Sequence, residues 1–254
     1  MTQLVLLSGW GIDARIWQPL APHWPAGITI STPDWPGYGG RAPLAEPDDL
    51  AALASAMSHD LPENAVWVGW SLGGLLAASL LEHLSAPRAL ILLGTGTRFT
   101  TNDDAIDATS GVSSNELATF RRAFERDPEK TWRHFLRWQL AGEPDPRGAR
   151  QHLEYLMATD DLPAERATLA SGLQQLATLD IGSSLANPAC PMLRIRGCND
   201  PLLAPADGGE HAVIANAGHC PQLSAPGELA ELISALVRHP TRCDDSLREV
   251  GDGR

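Results

Sequence analysis

Ala65-Val66-Trp67-Val68 is a short, uninterrupted apolar run that enters Gly69-Trp70-Ser71-Leu72-Gly73 and passes at once into a helical pattern reaching about Leu84. A run of that length without polar alternation fits a strand buried on both faces. Leu4 to Leu7, Ile28 to Ile30, Ala89 to Leu93, Met192 to Ile195 and Ala212 to Ile214 repeat the signal, and helical spacing appears over Asp48 to Asp60 and Glu228 to Val237. Strand and helix in alternation predict an α/β architecture with a parallel sheet covered on both sides. About six mostly parallel strands are expected. The alternation stops from about Asn102 to Ser184, where the patterns are helical and no strand is evident. The expected organisation is therefore one discontinuous core, residues 1–101 and 185–240, with residues 102–184 inserted as a helical lid. Residues 241–254 are polar and read as a frayed tail.

Composition narrows the class of function. The 254 residues carry 19 Lys+Arg against 31 Asp+Glu, a net charge of -12, which argues against nucleic acid or an anionic membrane surface as partner. Apolar stretches such as Leu75 to Leu81 fall far short of the roughly 20 residues a membrane span needs. The opening residues lack a basic n-region, so a cytoplasmic, soluble chain is expected, and a monomer. The four cysteines, Cys190, Cys198, Cys220 and Cys243, show no C-x-x-C spacing, which removes a zinc knuckle or a dithiol motif and leaves reduced thiols.

Gly69-Trp70-Ser71-Leu72-Gly73 has the form G-x-S-x-G at a strand-to-helix junction. A serine on so tight a turn holds strained backbone angles, and side chains at the glycine positions would collide with neighbouring backbone. The turn presents the hydroxyl at a helix N-terminus, where the dipole favours a developing anion. A serine nucleophile needs a base, and the base an orienting acid, in the chain order Ser, Asp or Glu, His. Asp200 follows the Met192–Ile195 strand and His219 follows the Ala212–Ile214 strand, both at carboxyl ends where open α/β sheets assemble their sites. Asp207 and Glu210 are the neighbouring alternatives for the acid. His23, His59, His83, His211 and His239 sit near helix ends, loops or a strand start, and read as surface or capping residues. Two backbone N–H groups are needed for the oxyanion: Leu72, next to the nucleophile, and Trp10 in the loop Ser8-Gly9-Trp10-Gly11.

These residues, together with Asp34-Trp35-Pro36-Gly37-Tyr38-Gly39, Gly74, and the Gly197 to Asp200 and Gly218-His219 segments, resemble the α/β-hydrolase superfamily. Gly9-Trp10-Gly11 combined with Gly-Trp-Ser-Leu-Gly-Gly is similar, within it, to the biotin-pathway carboxylesterases that demethylate pimeloyl-acyl-carrier-protein methyl ester. The resemblance spans residues 3 to 238. It implies that Phe135, Leu136, Arg137, Trp138 and Gln139 line the substrate with Trp10, Ser71, Leu72 and His219. It also implies an acyl-enzyme mechanism with no metal or organic cofactor. Two departures stand out: Ser8 occupies the place of the family's usual histidine, and the first strand here corresponds to the family's third.

Two rivals remain open on sequence. One is a generalist esterase, thioesterase or C–C bond hydrolase on the same scaffold, since fold does not choose among them. The other is a ligand-binding protein without turnover. A last feature concerns a partner. Residues 120–139 carry Arg121, Arg122, Arg126, Lys130, Arg133 and Arg137 against only Glu125, Asp127 and Glu129, an excess of positive charge in an acidic chain. Trp132, Phe135, Leu136 and Leu140 form an apolar stripe at helical spacing. The arginines are either a solvated helix face or a surface that receives an acidic acyl-carrier protein.

Overall fold

The strands take their faces from a two-residue alternation that is legible once the sheet is formed. In the computed structural model, which describes residues 2–101, 111–157, 161–204 and 209–238, β1 (Thr2–Leu7) sends Leu4 and Leu6 to one core cluster and Val5 and Leu7 to the other. The expected tail, and Asp207, His239 and Cys243, lie outside the described residues.

β2 (Ile28–Ser31), α1 (Leu50–Met57), β3 (Val66–Trp70), α2 (Leu72–Ser79) and β4 (Ala89–Leu93) follow in order. Between β4 and the next strand of the main sheet lie β5 (Thr100–Thr101), β6 (Val112–Ser113), α3 (Ser114–Arg126), α4 (Pro128–Gln139), α5 (Pro146–Met157), α6 (Arg166–Thr178) and α7 (Gly182–Ala186). β7 (Met192–Gly197), β8 (Ala212–Ile214), α8 (Pro221–Ser224) and α9 (Pro226–Arg238) return to the sheet. The main sheet has six strands in the order β2-β1-β3-β4-β7-β8, and every pairing is parallel. From β1 the chain moves outward to β2, then crosses back to place β3 on the other side of β1. The carboxyl ends of β1 and β3 thus flank a topological switch point, the crevice in which such sheets bind ligands.

One face of the sheet packs Leu53, Met57, Leu75 and Leu76 of α1 and α2 against Val5, Trp67 and Leu92. The other buries Leu229 and Ile233 of α9, with Ile16 and Leu20, against Leu6, Val68 and Ile91. Truncating any one of these fully buried leucines to alanine costs about 2–5 kcal/mol.

Several boundaries differ from the expectation. The helix begun at Leu72 ends as α at Ser79 and tightens into a 3-10 turn over Leu80–Glu82, the usual adjustment of a last turn. Ala14–His23 forms a 3-10 segment that no periodicity announced, because Pro19 and Pro22 break the helical hydrogen-bond ladder. The stretch 102–184, expected to be helical, also contains one short strand, β6. Thr100–Thr101 pairs in parallel with Val112–Ser113, strands too short to leave a pattern. The stretch 120–139 divides at Asp127: its side chain accepts from Lys130 N at 3.1 Å and Pro128 opens α4, a cap-and-proline helix start. Among the described residues no helix is long and apolar enough to cross a membrane.

Candidate active site

Ser71 stands between β3 and α2 with φ 56° and ψ -125°, and among the described residues it is the one non-glycine residue with positive φ. Holding a side-chain-bearing residue there costs about 1–3 kcal/mol, which neighbouring contacts must offset. Ser71 N donates to Leu93 O at 2.9 Å, and Thr95 Oγ1 donates to Ser71 O at 3.1 Å. The two glycines of the pattern are required by close approach. A Cβ on Gly69 would lie 2.5 Å from Gly74 Cα, and one on Gly73 would lie 2.8 Å from Leu7 O.

Asp200 and His219 are brought together. His219 Nδ1 and Asp200 Oδ2 are 2.8 Å apart, with side-chain exposures of 1% and 0%. Asp200 Oδ1 accepts from Leu202 N at 2.9 Å, which fixes the carboxylate's second oxygen. The His219 ring lies against Gly94 at the end of β4, where an added Cβ would meet it at 3.3 Å. Ser71, bonded to Leu93 next door, therefore shares the same strand end with the imidazole. His219 Nε2 is buried without a hydrogen-bond partner among the described residues. That nitrogen is the one a nucleophile's proton would need. Glu210 pairs instead with Arg194 at 3.0 Å, and His211 takes the N–H of Arg194, so neither competes for the site.

The loop after β1 reaches Ser71 directly: a Cβ on Gly9 would stand 3.0 Å from Ser71 Cβ. Ser8 has a buried hydroxyl without a partner among the described residues. Aromatic groups order the loop. Trp35 Nε1 donates to Ser8 O at 2.8 Å, Trp132 Nε1 donates to Gly11 O at 2.8 Å, and Gly11 N donates to the Tyr38 hydroxyl at 3.2 Å. Burial pushes the Tyr38 phenol well above its ordinary range, so it stays a neutral acceptor. Trp10 turns its indole into the insertion, donating to Leu169 O at 2.8 Å and meeting Phe120, Phe124 and Phe135 edge to face. A small cavity of about 40 Å³ opens beside Gly9 and Leu72, walled by Trp35, Leu76 and Gly172.

The expected lining residues of α4 separate by face. Phe135 and Gln139 are buried, Leu136 and Trp138 are half-buried, and Arg137 is exposed. Arg137 and Trp138 lie on a shallow groove of about 690 Å³ with Asn115, Glu116, Thr119 and His134. Of the remaining arginines, Arg121 is held by Gln174 Oε1, Arg122 donates to Thr119 Oγ1 at 2.9 Å, Arg133 approaches Glu129 at 3.6 Å, and Arg126 is exposed. Among the described residues no group of three or more His, Cys, Asp or Glu side chains is placed to hold a metal ion. Trp70, Trp35 and Trp132 were absent from the sequence-derived site. Trp70 and Trp35 lie inside quoted motifs, Gly69–Gly73 and Asp34–Gly39, and Trp132 only in an apolar stripe.

A six-stranded parallel sheet, a strained serine on a strand-to-helix turn and a buried Asp–His pair at the same sheet edge define the α/β-hydrolase class. Residues 4–232 match the Alpha/beta hydrolase family, and the chain belongs to it. It is 35% identical over 247 residues to the pimeloyl-[acyl-carrier protein] methyl ester esterase of Aromatoleum aromaticum, covering 92% of this chain and 98% of that relative. The protein of the same name from Citrobacter koseri is 32% identical over 243 residues, covering 92% and 93%. Among solved structures, an esterase from Exiguobacterium antarcticum superposes with a TM-score of 0.76 at 20% identity, covering 94% of this chain and 92% of the other. A bromoperoxidase from Bacillus anthracis gives 0.76 at 17% identity, covering 93% and 92%, so these likenesses speak to fold alone.

Proposed function

We propose that this chain is a cytoplasmic serine carboxylesterase that hydrolyses the methyl ester of pimeloyl-acyl-carrier protein, releasing methanol and the free acid in biotin biosynthesis. The observation that carries the chemistry is the buried Asp200–His219 pair, whose Nε2 is unpartnered beside the strained Ser71 turn. The substrate is supported by two relatives of that name, alike over more than nine-tenths of the chain.

In this reading Ser71 Oγ gives its proton to His219 Nε2 as it attacks the ester carbonyl. Asp200 holds the imidazole with Nδ1 protonated and stabilises the imidazolium. The N–H groups of Trp10 and Leu72 receive the tetrahedral oxyanion. Collapse breaks the bond to the methoxy oxygen, which takes the proton from Nε2 and leaves as methanol. Water, deprotonated by the same nitrogen, then cleaves the acyl-serine, and Ser71 recovers its proton. Every group comes from one chain, and the sequence of steps calls for neither metal nor organic cofactor. The arginines of α3 and α4 meet the acidic carrier, with Arg133 and Arg137 on the exposed side of α4.

The test compares a carrier-bound pimeloyl methyl ester with a p-nitrophenyl ester of equal chain length. A carrier-directed enzyme should favour the first in kcat/KM by about 10²-fold or more, the return on remote binding energy of about 2.7 kcal/mol. Equal values would favour a generalist esterase.

A further inference from the structure

Glu143 is a buried carboxylate in the turn that follows α4, and no lysine or arginine is bonded to it among the contacts that hold it. Its two oxygens are each taken by a backbone donor. Gly218 N donates to Oε2 at 3.0 Å and Cys220 N donates to Oε1 at 2.7 Å. Those two residues flank His219. A single side chain, 75 residues earlier in the chain than Gly218, thus clasps the backbone on both sides of the base.

The surrounding geometry is equally close. A Cβ on Gly218 would lie 2.8 Å from Glu143 Oε1 and 2.7 Å from Gly142 C, so the loop can fold around the carboxylate only with glycine there. A Cβ on Gly142 would collide with the carbonyl oxygen of Asn199, the residue before Asp200. Gly142-Glu143 therefore sits against the acid loop and the base loop together. The turn is itself fixed to α4, with Ala141 N donating to Trp138 O at 3.0 Å and Glu143 N to Leu140 O at 3.1 Å. The same helix supplies Trp132 to Gly11 O and Phe135 to the Trp10 ring.

We propose that Glu143 is a positioning residue for the base: its bidentate clasp on Gly218 N and Cys220 N sets the backbone of His219 and so aims the imidazole at Ser71. The inference rests on the Ser71–His219–Asp200 reading above. A carboxylate suits the task because both oxygens accept. The amide of a glutamine would turn an NH₂ donor toward one of the two N–H groups, leaving that donor unpaired and opposed. Glu143 touches no reacting atom and acts through the loop it holds.

The variant Glu143→Gln tests this with nearly unchanged size and shape. A displaced imidazole costs turnover steeply, about 10²-fold for a shift of 1 Å. For a small free methyl ester, kcat should fall by about that factor while KM stays close to wild type. Labelling by a fluorophosphonate separates aim from folding. The proposal requires that the variant label to the same final extent as wild type but at a rate reduced in step with kcat. An unchanged rate with full labelling would overturn it. So would an unchanged rate with a reduced final extent, which would make Glu143 a support of the folded state only. A wild-type chain that the probe leaves unlabelled would instead overturn the Ser71 reading, and this inference with it.

Discussion

Trp70 donates its indole N–H to the carbonyl of His219 at 2.8 Å, and the two rings lie 5.5 Å apart. The residue immediately before the proposed nucleophile thereby holds the backbone of the proposed base. This contact joins the turn after β3 to the loop after β8, which are otherwise separated by β4 and β7.

Trp70→Phe should keep an aromatic ring in place while removing the donor. The buried His219 carbonyl would lose its partner, at a cost of about 1–3 kcal/mol. We expect kcat to fall about tenfold with KM little changed, measured on a small ester. Turnover equal to wild type would show that the indole N–H has no part in placing the base.

Ser71→Ala and His219→Ala should each reduce turnover by roughly 10⁴-fold or more, and the double variant should be hardly worse. Members of one proton-transfer unit are not additive. Steady-state kinetics of the three variants would check this, and multiplying losses would mean that the two residues act apart.

Arg133→Glu with Arg137→Glu should lower kcat/KM for a carrier-bound ester and flatten its salt dependence, while a free methyl ester is turned over as before. Both side chains are exposed on α4. Loss on both substrates would indicate damage to the insertion. Loss on neither would leave the arginines as solvated charge.

Cys220 adjoins His219 yet is fully buried, and burial, with the charges of Glu143 and Asp200, pushes its thiol well above the ordinary range. Cys220→Ala should therefore retain most activity. Iodoacetamide should modify the exposed Cys198 well before Cys220 in the folded chain, as peptide mass spectrometry can show.

His211 Nδ1 accepts the Arg194 N–H at 3.1 Å, and burial followed by the Arg194 charge holds its pKa below the usual 6.5. The unfolded chain then binds a proton more readily than the folded one. The stabilisation is fully present above pH 6.5 and is lost as pH falls toward the lowered value. His211→Gln should narrow the drop in Tm between pH 7.5 and 5.5.

Much of this site could be read in the chain because its signals are local. The buried strands leave uninterrupted apolar runs, the Ser71 turn needs small residues at Gly69 and Gly73, and Asp200 and His219 each follow a strand directly. The break at Asp127-Pro128 also had a signal, a capping aspartate before a proline, but the run of basic residues from Arg121 to Arg137 continues across it and masked the division. Glu143 had none. Its role depends on a hydrogen bond spanning 77 residues to Cys220, and a lone carboxylate after a helix is indistinguishable from a solvated one. The bracing of the Ser8 loop by Trp35 and Trp132 was hidden for the same reason: tryptophans at a core edge announce burial, not the carbonyl their N–H will find.

Methanol release from carrier-bound pimeloyl methyl ester, with the acyl group trapped during turnover and located by mass spectrometry, tests the central claim most directly. The account predicts methanol from the wild-type chain, an acyl adduct on Ser71, and neither from Ser71→Ala. Undiminished release by Ser71→Ala, or an adduct on another residue, would contradict it.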